Sequence, residues 1–242
     1  MPIQFKKLTT WLSIIGVIML GTAWANASTR EDSIQRANDA AEVLQQIMNA
    51  PDKGIPEEVM KDAKCVLVVP HLIKGGFIFG GKYGRGVGVC RTKTGWSAPA
   101  YVLVGGGTFG FQIGIEGVDL VMLVMNQKGL EDLLSSKFEL SGAASAAAGP
   151  VGRHASAGTD WRMETELLTY SRSRGAFAGA TVEGAVVKAD EDAIASVYGK
   201  EHSFRSILSG DVATPASTEK FRAAVIHADR QSKAAEAAEA SK

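Results

Sequence analysis

Basic residues recur beside glycines through the middle of the chain, in a pattern that can bind anions. Glycine-flanked turns expose backbone N–H groups, and a nearby cation completes a cradle for a phosphate. The alternative is a set of solvated turn charges that neighbouring Asp and Glu side chains balance. The residues that we assign to anion binding are Lys74, Lys82, Arg85, Arg153, Arg172 and Arg174.

Two segments match phosphate-binding loops, yet both alternate like strands. Residues 76–83 fit G-x-x-x-x-G-K, with Tyr83 where the magnesium-binding Ser or Thr would stand. Residues 105–110 fit G-x-G-x-x-G, but the alternating residues 111–115 follow, whereas the dinucleotide motif must open a helix. We interpret both segments as glycine-rich strands, and we expect no cofactor.

The sequence carries no local pattern for catalysis or metal binding. Neither a G-x-S-x-G elbow nor an H-E-x-x-H pair occurs in it. Its histidines, His71, His154, His202 and His227, are too scattered for a local metal site. We therefore predict a protein that is not an enzyme.

Composition indicates a folded, glycine-rich protein. The 242 residues include 27 glycines, against about 17 expected at the usual ~7%. Lys and Arg number 26, as do Asp and Glu, and this balance argues against a general nucleic-acid binder. Strands that contain several glycines are typical of a strongly curled sheet.

Residues 1–27 are predicted to be a secretory signal peptide. Lys6 and Lys7 precede a short apolar run over residues 12–20, and two small-x-small sites follow within residues 23–27. A retained membrane anchor is the alternative. Cleavage would remove two of the 26 basic residues and leave 24 against 26 acidic ones, so we expect an exported, slightly acidic protein in the periplasm or at the cell envelope.

Export makes the two cysteines, Cys65 and Cys90, a possible disulfide pair. Cys65 begins one predicted strand, and Cys90 ends the second strand after it. In a simple meander those positions lie at opposite ends of the sheet, beyond the ~7 Å Cα separation that a disulfide tolerates. We therefore do not favour the Cys65–Cys90 bridge.

Hydrophobic periodicity predicts an α+β fold: a glycine-rich, strongly curled antiparallel β core, as a sandwich or partial barrel, with flanking helices. A capping box at Ser28 opens an amphipathic helix that runs to Pro51, with Ala37, Ala41 and Leu44 on its apolar stripe and Arg36 on its other face. Asp190 can cap a later helix that runs to Tyr198. We divide the mature chain into N-terminal helices (28–62), the β-rich core (63–212) and a C-terminal helix with a frayed Ala/Glu tail (213–242). The core begins with six predicted short strands: 65–69, 76–81, 83–90, 101–104, 108–115 and 118–125.

A series of ordered motifs resembles the SYLF-domain family. The resemblance covers roughly residues 33–210 and is far more specific than either phosphate-loop match. The matching runs are CVLVVP (65–70), KGGFIFGG (74–81), YGRG (83–86), GWSAPA (95–100), GGTFGFQIG (106–114), AAGPVGR (147–153), TYSRSRG (169–175) and FAG (177–179).

This resemblance implies a lipid-binding module with a glycine-rich β core. Eukaryotic members of the family are similar to phosphoinositide binders that remodel membranes, and some also bind actin, whereas bacterial relatives are exported. The first predicted helix is acidic and polar here, which does not favour helix-driven membrane insertion.

Three functions remain open on the sequence. The leading hypothesis is an exported, non-enzymatic module that recognises anionic lipid headgroups at the cell envelope through its basic turns. The alternative is a periplasmic structural or protein-interaction protein. An envelope hydrolase is the weakest of the three, and nucleic acid is not an expected partner.

Overall fold

The computed structural model describes residues 29–50, 54–135, 137–140, 146–150, 165–173, 176–179 and 184–241. The predicted signal peptide and the capping box at Ser28 lie outside these residues, so both stay predictions.

Helix α1 spans residues 29–48 and packs on the core by its apolar stripe. Ala37, Ala41 and Leu44 are fully buried, as the sequence predicted. The helix ends three residues before Pro51, a residue type that cannot donate the next helical hydrogen bond. One cation, Arg36, lies among these buried residues and is only 9% exposed.

Two long antiparallel strands form the centre of the fold. Strand β1 is Cys65–Thr92, β2 is Gly95–Trp96 and β3 is Ala100–Val124. The ladder between β1 and β3 runs from the Cys65–Val124 pair to the Gly88–Ala100 pair. The predicted meander of six short strands is therefore wrong. Its glycines do not end strands; they lie within one continuous ribbon, with register shifts at Val69/Leu72 and Gly76/Ile78.

Glycines let the ribbon curl until the second half of β1 packs across the first half. A Cβ atom on Gly84 would lie 2.6 Å from Cγ1 of Val69. A Cβ atom on Gly86 would lie 2.6 Å from the carbonyl oxygen of Val68. Contacts this short leave no room for a side chain, so the close approach requires glycine at both positions.

The curl also corrects the prediction for the cysteines. Cys65 and Cys90 form a disulfide, with their Cα atoms 4.0 Å apart. The ends of β1 meet there, since the Arg91 N–H donates to the carbonyl of Lys64 at 2.7 Å. Our argument against the bridge assumed a flat meander, in which these ends would be far apart.

The remaining strands extend the ribbon into a curled half-barrel, which confirms the predicted α+β class. Their bounds are β4 Lys137–Leu140, β5 Ala146–Ala148, β6 Leu167–Ser173, β7 Ala176–Gly179 and β8 Ala185–Ala189. Strand β3 pairs with β6 along residues 119–124 and with β8 along residues 102–106. Strand β8 pairs with β4, and β6 pairs with β5 and β7.

Further helices flank the sheet. Their bounds are α2 Glu57–Asp62, α3 Gln127–Leu134, α4 Glu191–Tyr198, α5 Phe204–Leu208 and α6 Glu219–Ala240, with a 3₁₀ turn at Ala216–Thr218. Helix α2 contacts α6, while α4 and α5 contact β3. Asp190 caps α4 and Ser203 caps α5, each through a side-chain oxygen that accepts a backbone N–H.

Helix α6 includes the Ala/Glu tail and continues through Ala240. The fraying of this tail stays a prediction. Alanine and glutamate have high helix propensity, which supports the helix where packing does not.

Candidate functional site

An open groove of about 340 Å³ lies between α1 and β1. Asp32, Arg36 and Asp39 line it from the helix, and Ile73 and Arg85 line it from the strand. The groove therefore combines residues from two regions that lie far apart in the sequence. It includes one of the predicted anion-binding residues, Arg85.

Two arginines of the groove share one buried carboxylate. Asp190 is 2% exposed, and its Oδ2 accepts a hydrogen bond from Arg85 Nε at 3.1 Å and from Arg36 Nη1 at 3.1 Å. Its Oδ1 lies 3.4 Å from Arg85 Nη2 and also caps helix α4. The three groups together carry a net charge of +1, so the cluster keeps positive charge at the wall of the groove.

Burial makes the arginine at the centre of this cluster unusual. The Arg36 guanidinium lies over the Tyr101 ring, 5.6 Å from its centroid. Burial and the nearby Arg85 charge lower the pKa of Arg36, while Asp190 opposes that shift. A buried cation needs such a counter-ion, because an unpaired charge is costly away from water.

Two large apolar side chains are exposed at the same groove. Ile73 is 53% exposed and Tyr83 is 54% exposed, and both line it. Exposed apolar side chains that lie together mark interaction surfaces more often than isolated ones do. The sequence did not indicate that Ile73 and Tyr83 are exposed, because both are residue types that are common within strands.

His71 forms the third notable feature of the groove wall. It has a φ of +54°, in the left-handed region that few non-glycine residues adopt. The residue sits in the register shift between Val69 and Leu72. Its backbone N–H donates to Asp119 Oδ1 at 3.1 Å, and Asp119 Oδ2 accepts from Arg172 Nε at 2.8 Å. Through this carboxylate, Arg172 lies next to the groove.

The other predicted anion-binding residues have different surroundings. Lys82 is only 7% exposed. Lys74 is half-buried and faces Glu116 across the ladder. Arg153 and Arg174 lie outside the described residues. The structure therefore brings Arg85 and Arg172 to one region and pairs each with an aspartate. This pairing agrees with the alternative given above, in which Asp and Glu side chains balance the basic residues. The anion-binding role of the whole set stays a prediction.

Arg36, Asp190 and Asp119 are the site residues that the sequence did not indicate. Helical periodicity places Arg36 on the polar face of α1. Arg36 follows Ser33 by three residues, however, and therefore shares a helix face with this fully buried residue. Asp190 was correctly predicted as a helix cap, but its two ion pairs depend on contacts across the fold.

Arg91 forms a second cationic cluster that serves the fold. Its guanidinium donates to the carbonyls of Lys61 and Ala63, each at 2.7 Å, and to Asp229 at 2.6 Å. It also stacks on Trp96, 4.4 Å from the ring centroid. Since these contacts hold α2 and α6 against the end of β1, this cluster is a structural clamp.

Neither metal chemistry nor a membrane-spanning helix is found in the part of the chain that the structure describes. No three His, Cys, Asp or Glu residues among those placed are grouped to hold a metal ion. Searched over the same ranges, the helices include none long and apolar enough to cross a bilayer.

A family model described as "Ysc84: Las17-binding protein actin regulator" matches residues 105–228. LAS seventeen-binding protein 3 of Saccharomyces cerevisiae is 35% identical over 168 residues, which are 68% of this chain and 36% of that protein. SH3 domain-containing YSC84-like protein 1 of Homo sapiens is 33% identical over 190 residues, 76% of this chain and 55% of that protein.

These relatives carry names of binding or regulatory proteins. The chain spans about a third to a little over half of their length. The match to the family model contains four of the runs that resembled the SYLF-domain family, at residues 106–114, 147–153, 169–175 and 177–179. The chain therefore belongs to the Ysc84 family, also known by its SYLF domain.

Proposed function

We propose that this protein is an exported, non-enzymatic module that binds phospholipid surfaces at the cell envelope through the α1–β1 groove. The observation that carries the proposal is the pair of exposed apolar side chains, Ile73 and Tyr83, beside the Arg85 cation. Apolar side chains next to a cation suit the boundary between headgroups and acyl chains.

The ribbon next to the groove supports the same proposal. Among the described strands, residues 107–110 and 114–118 of β3 pair with β1 and with no other strand. The sequence of this ribbon is rich in aromatic and aliphatic residues, including Phe77, Phe79, Phe109 and Phe111. A sequence of this composition suits contact with a bilayer.

Flotation with vesicles tests this role. The full chain is mixed with vesicles of phosphatidylcholine alone or with added phosphatidylglycerol. We expect the double variant Ile73→Ser/Tyr83→Ser to bind about thirtyfold more weakly, since burying two half-exposed apolar side chains contributes about 2 kcal/mol. Ile73→Leu/Tyr83→Phe keeps the apolar surface and serves as the matched control. Equal binding by the serine variant, verified as folded, would refute the proposal.

Charge outside the groove provides a second test, which concerns the attraction to anionic surfaces expected from the sequence and is separate from headgroup selection within the groove. Lys74 is the accessible choice, because Lys82 is buried and Arg85 holds Asp190. A well-placed cation contributes about 1 kcal/mol at an anionic surface, and salt screens it over roughly 8–10 Å. Lys74→Gln should therefore weaken binding to phosphatidylglycerol vesicles about fivefold and leave binding to phosphatidylcholine unchanged.

A protein-interaction role is the second candidate. It is favoured by the family model, whose description names Las17 binding and actin regulation, and by a groove open enough for a polypeptide segment. A photo-crosslinking amino acid in place of Tyr83 distinguishes the candidates in native envelopes. Lipid adducts would support the first role, and a discrete protein adduct would support the second.

Export itself is tested by the N-terminus of the protein from the native envelope. The predicted signal peptide gives a mature chain that begins at Asn26 or Ser28. Sequencing that finds Met1 or Pro2 would exclude cleavage.

A further inference from the structure

We propose that the α1–β1 groove selects a zwitterionic phospholipid headgroup with a primary ammonium, of the phosphoethanolamine class, and binds its phosphate at Arg85 and its ammonium at Asp39. This inference rests on the proposed lipid-binding function and adds the headgroup class, which differs from the anionic class expected from the sequence.

The arginine cluster supplies the phosphate end. Arg85 is 37% exposed and donates to Asp190 through Nε and Nη2. Within the described residues, nothing accepts a hydrogen bond from its Nη1. A guanidinium has five N–H donors in a planar fork that matches phosphate oxygens. Arg85 can therefore keep its ion pair with Asp190 and still donate into the groove.

Helix α1 supplies the ammonium end. Asp32 and Asp39 are two helical turns apart on one face, and both line the groove. The Asp39 carboxylate is half-buried and accepts a hydrogen bond from Gln35 Nε2 at 2.8 Å. A carboxylate has about four acceptor sites, which leaves capacity for a ligand ammonium that donates three hydrogen bonds.

The charge balance of the groove decides between the headgroup classes. Arg36 and Arg85 contribute two positive charges, and the buried Asp190 together with Asp39 contributes two negative ones. A headgroup with only negative charge would therefore meet the Asp39 carboxylate on the helix side of the groove. A zwitterion instead places opposite charge against each wall.

Size and apolar lining fit the rest of the lipid. At about 340 Å³, the groove lies at the small end of the ~300–1,000 Å³ range of ligand pockets. It can hold a headgroup, and the acyl chains would remain outside. Ile73 and Tyr83, exposed at the groove, would contact the glycerol and the first methylene groups.

Calorimetric titration tests this selectivity with the full chain and dihexanoyl lipids below their micelle concentrations. We expect phosphatidylethanolamine to bind about tenfold more tightly than phosphatidylcholine or phosphatidylglycerol, because only its headgroup combines a positive charge with N–H donors for the Asp39 carboxylate. Asp39→Asn should remove that preference. Glu31→Gln is the matched control, because Glu31 is an exposed carboxylate of α1 outside the groove, and it should keep the preference.

Two further comparisons distinguish a lipid ligand from a soluble one, and failure of the headgroup assignment from failure of lipid binding. Free phosphoethanolamine should bind at least tenfold more weakly than the lipid, and equal affinity would assign the site to a soluble ligand and overturn the lipid inference. Preference for phosphatidylglycerol, or a preference that survives Asp39→Asn, would overturn the headgroup assignment and leave lipid binding intact. No binding of any lipid or vesicle would overturn both proposals.

Discussion

Removing the Cys65–Cys90 disulfide should substantially lower the free energy of unfolding. The change is the double variant Cys65→Ala/Cys90→Ala. The bridge spans a sequence separation of 25 residues, and the chain-entropy relation for such a loop gives about 3.5 kcal/mol at 25 °C. Both cysteines are at most 1% exposed, so the loss of two packed sulfur atoms adds about 1 kcal/mol.

Urea unfolding of the full chain, followed by circular dichroism, measures the difference. The total of about 4.5 kcal/mol corresponds to a melting temperature lower by roughly 9–18 °C in a chain of this size. Wild-type protein that is reduced while unfolded and then refolded with reductant is the matched control. It loses only the loop constraint, so we expect its stability to fall between those of the oxidised protein and the double variant.

Either of two results would refute this reasoning. The first is a double variant whose free energy of unfolding lies within about 0.5 kcal/mol of the oxidised protein. The second is the detection of two free thiols in the unfolded, unreduced chain.

Three other changes have defined outcomes. Gly86→Ala places a Cβ atom 2.6 Å from the Val68 carbonyl oxygen, so urea unfolding should show a loss of about 1–3 kcal/mol. Burial alone would raise the pKa of Asp229, but the hydrogen bond from Arg91 helps to lower it below 3.8. The ionised Asp229 carboxylate therefore stabilises the fold above pH 3.8, and this contribution is lost as the pH falls through the folded-state pKa. Asp229→Asn should make the free energy of unfolding less dependent on pH in this range. The Tyr170 hydroxyl is buried without a partner in the described residues, so Tyr170→Phe should leave the melting temperature unchanged or raise it slightly.

Local features of this fold could be predicted from the sequence. The caps Asp190 and Ser203 and the end of α1 before Pro51 follow from side-chain chemistry within a few residues. The family motifs and the glycine content also predicted a curled β core. In each case the cause lies within a short stretch of chain or in composition.

Features that depend on distant contacts could not be predicted. Local pattern predicts several short strands within residues 65–92 and 100–124, because it does not distinguish a turn from a bend in a continuous ribbon. The proximity of Cys65 to Cys90 follows from that bend. Helical periodicity places Arg36 on the polar face of α1, and it gives no sign of the partner, Asp190, which is 154 positions away.

The disulfide turns residues 65–90 into a covalent ring, and that ring contains the entire strand wall of the groove, from Pro70 to Arg85. A single peptide-bond cleavage inside the ring would leave the two pieces joined as one molecule. Tension applied along β1 between the cysteines would be carried by the S–S bond in parallel with the β ladder. In an oxidising compartment, the strand that carries Ile73 and Tyr83 therefore stays attached after a single cleavage and resists extension. It loses both properties in a reducing compartment.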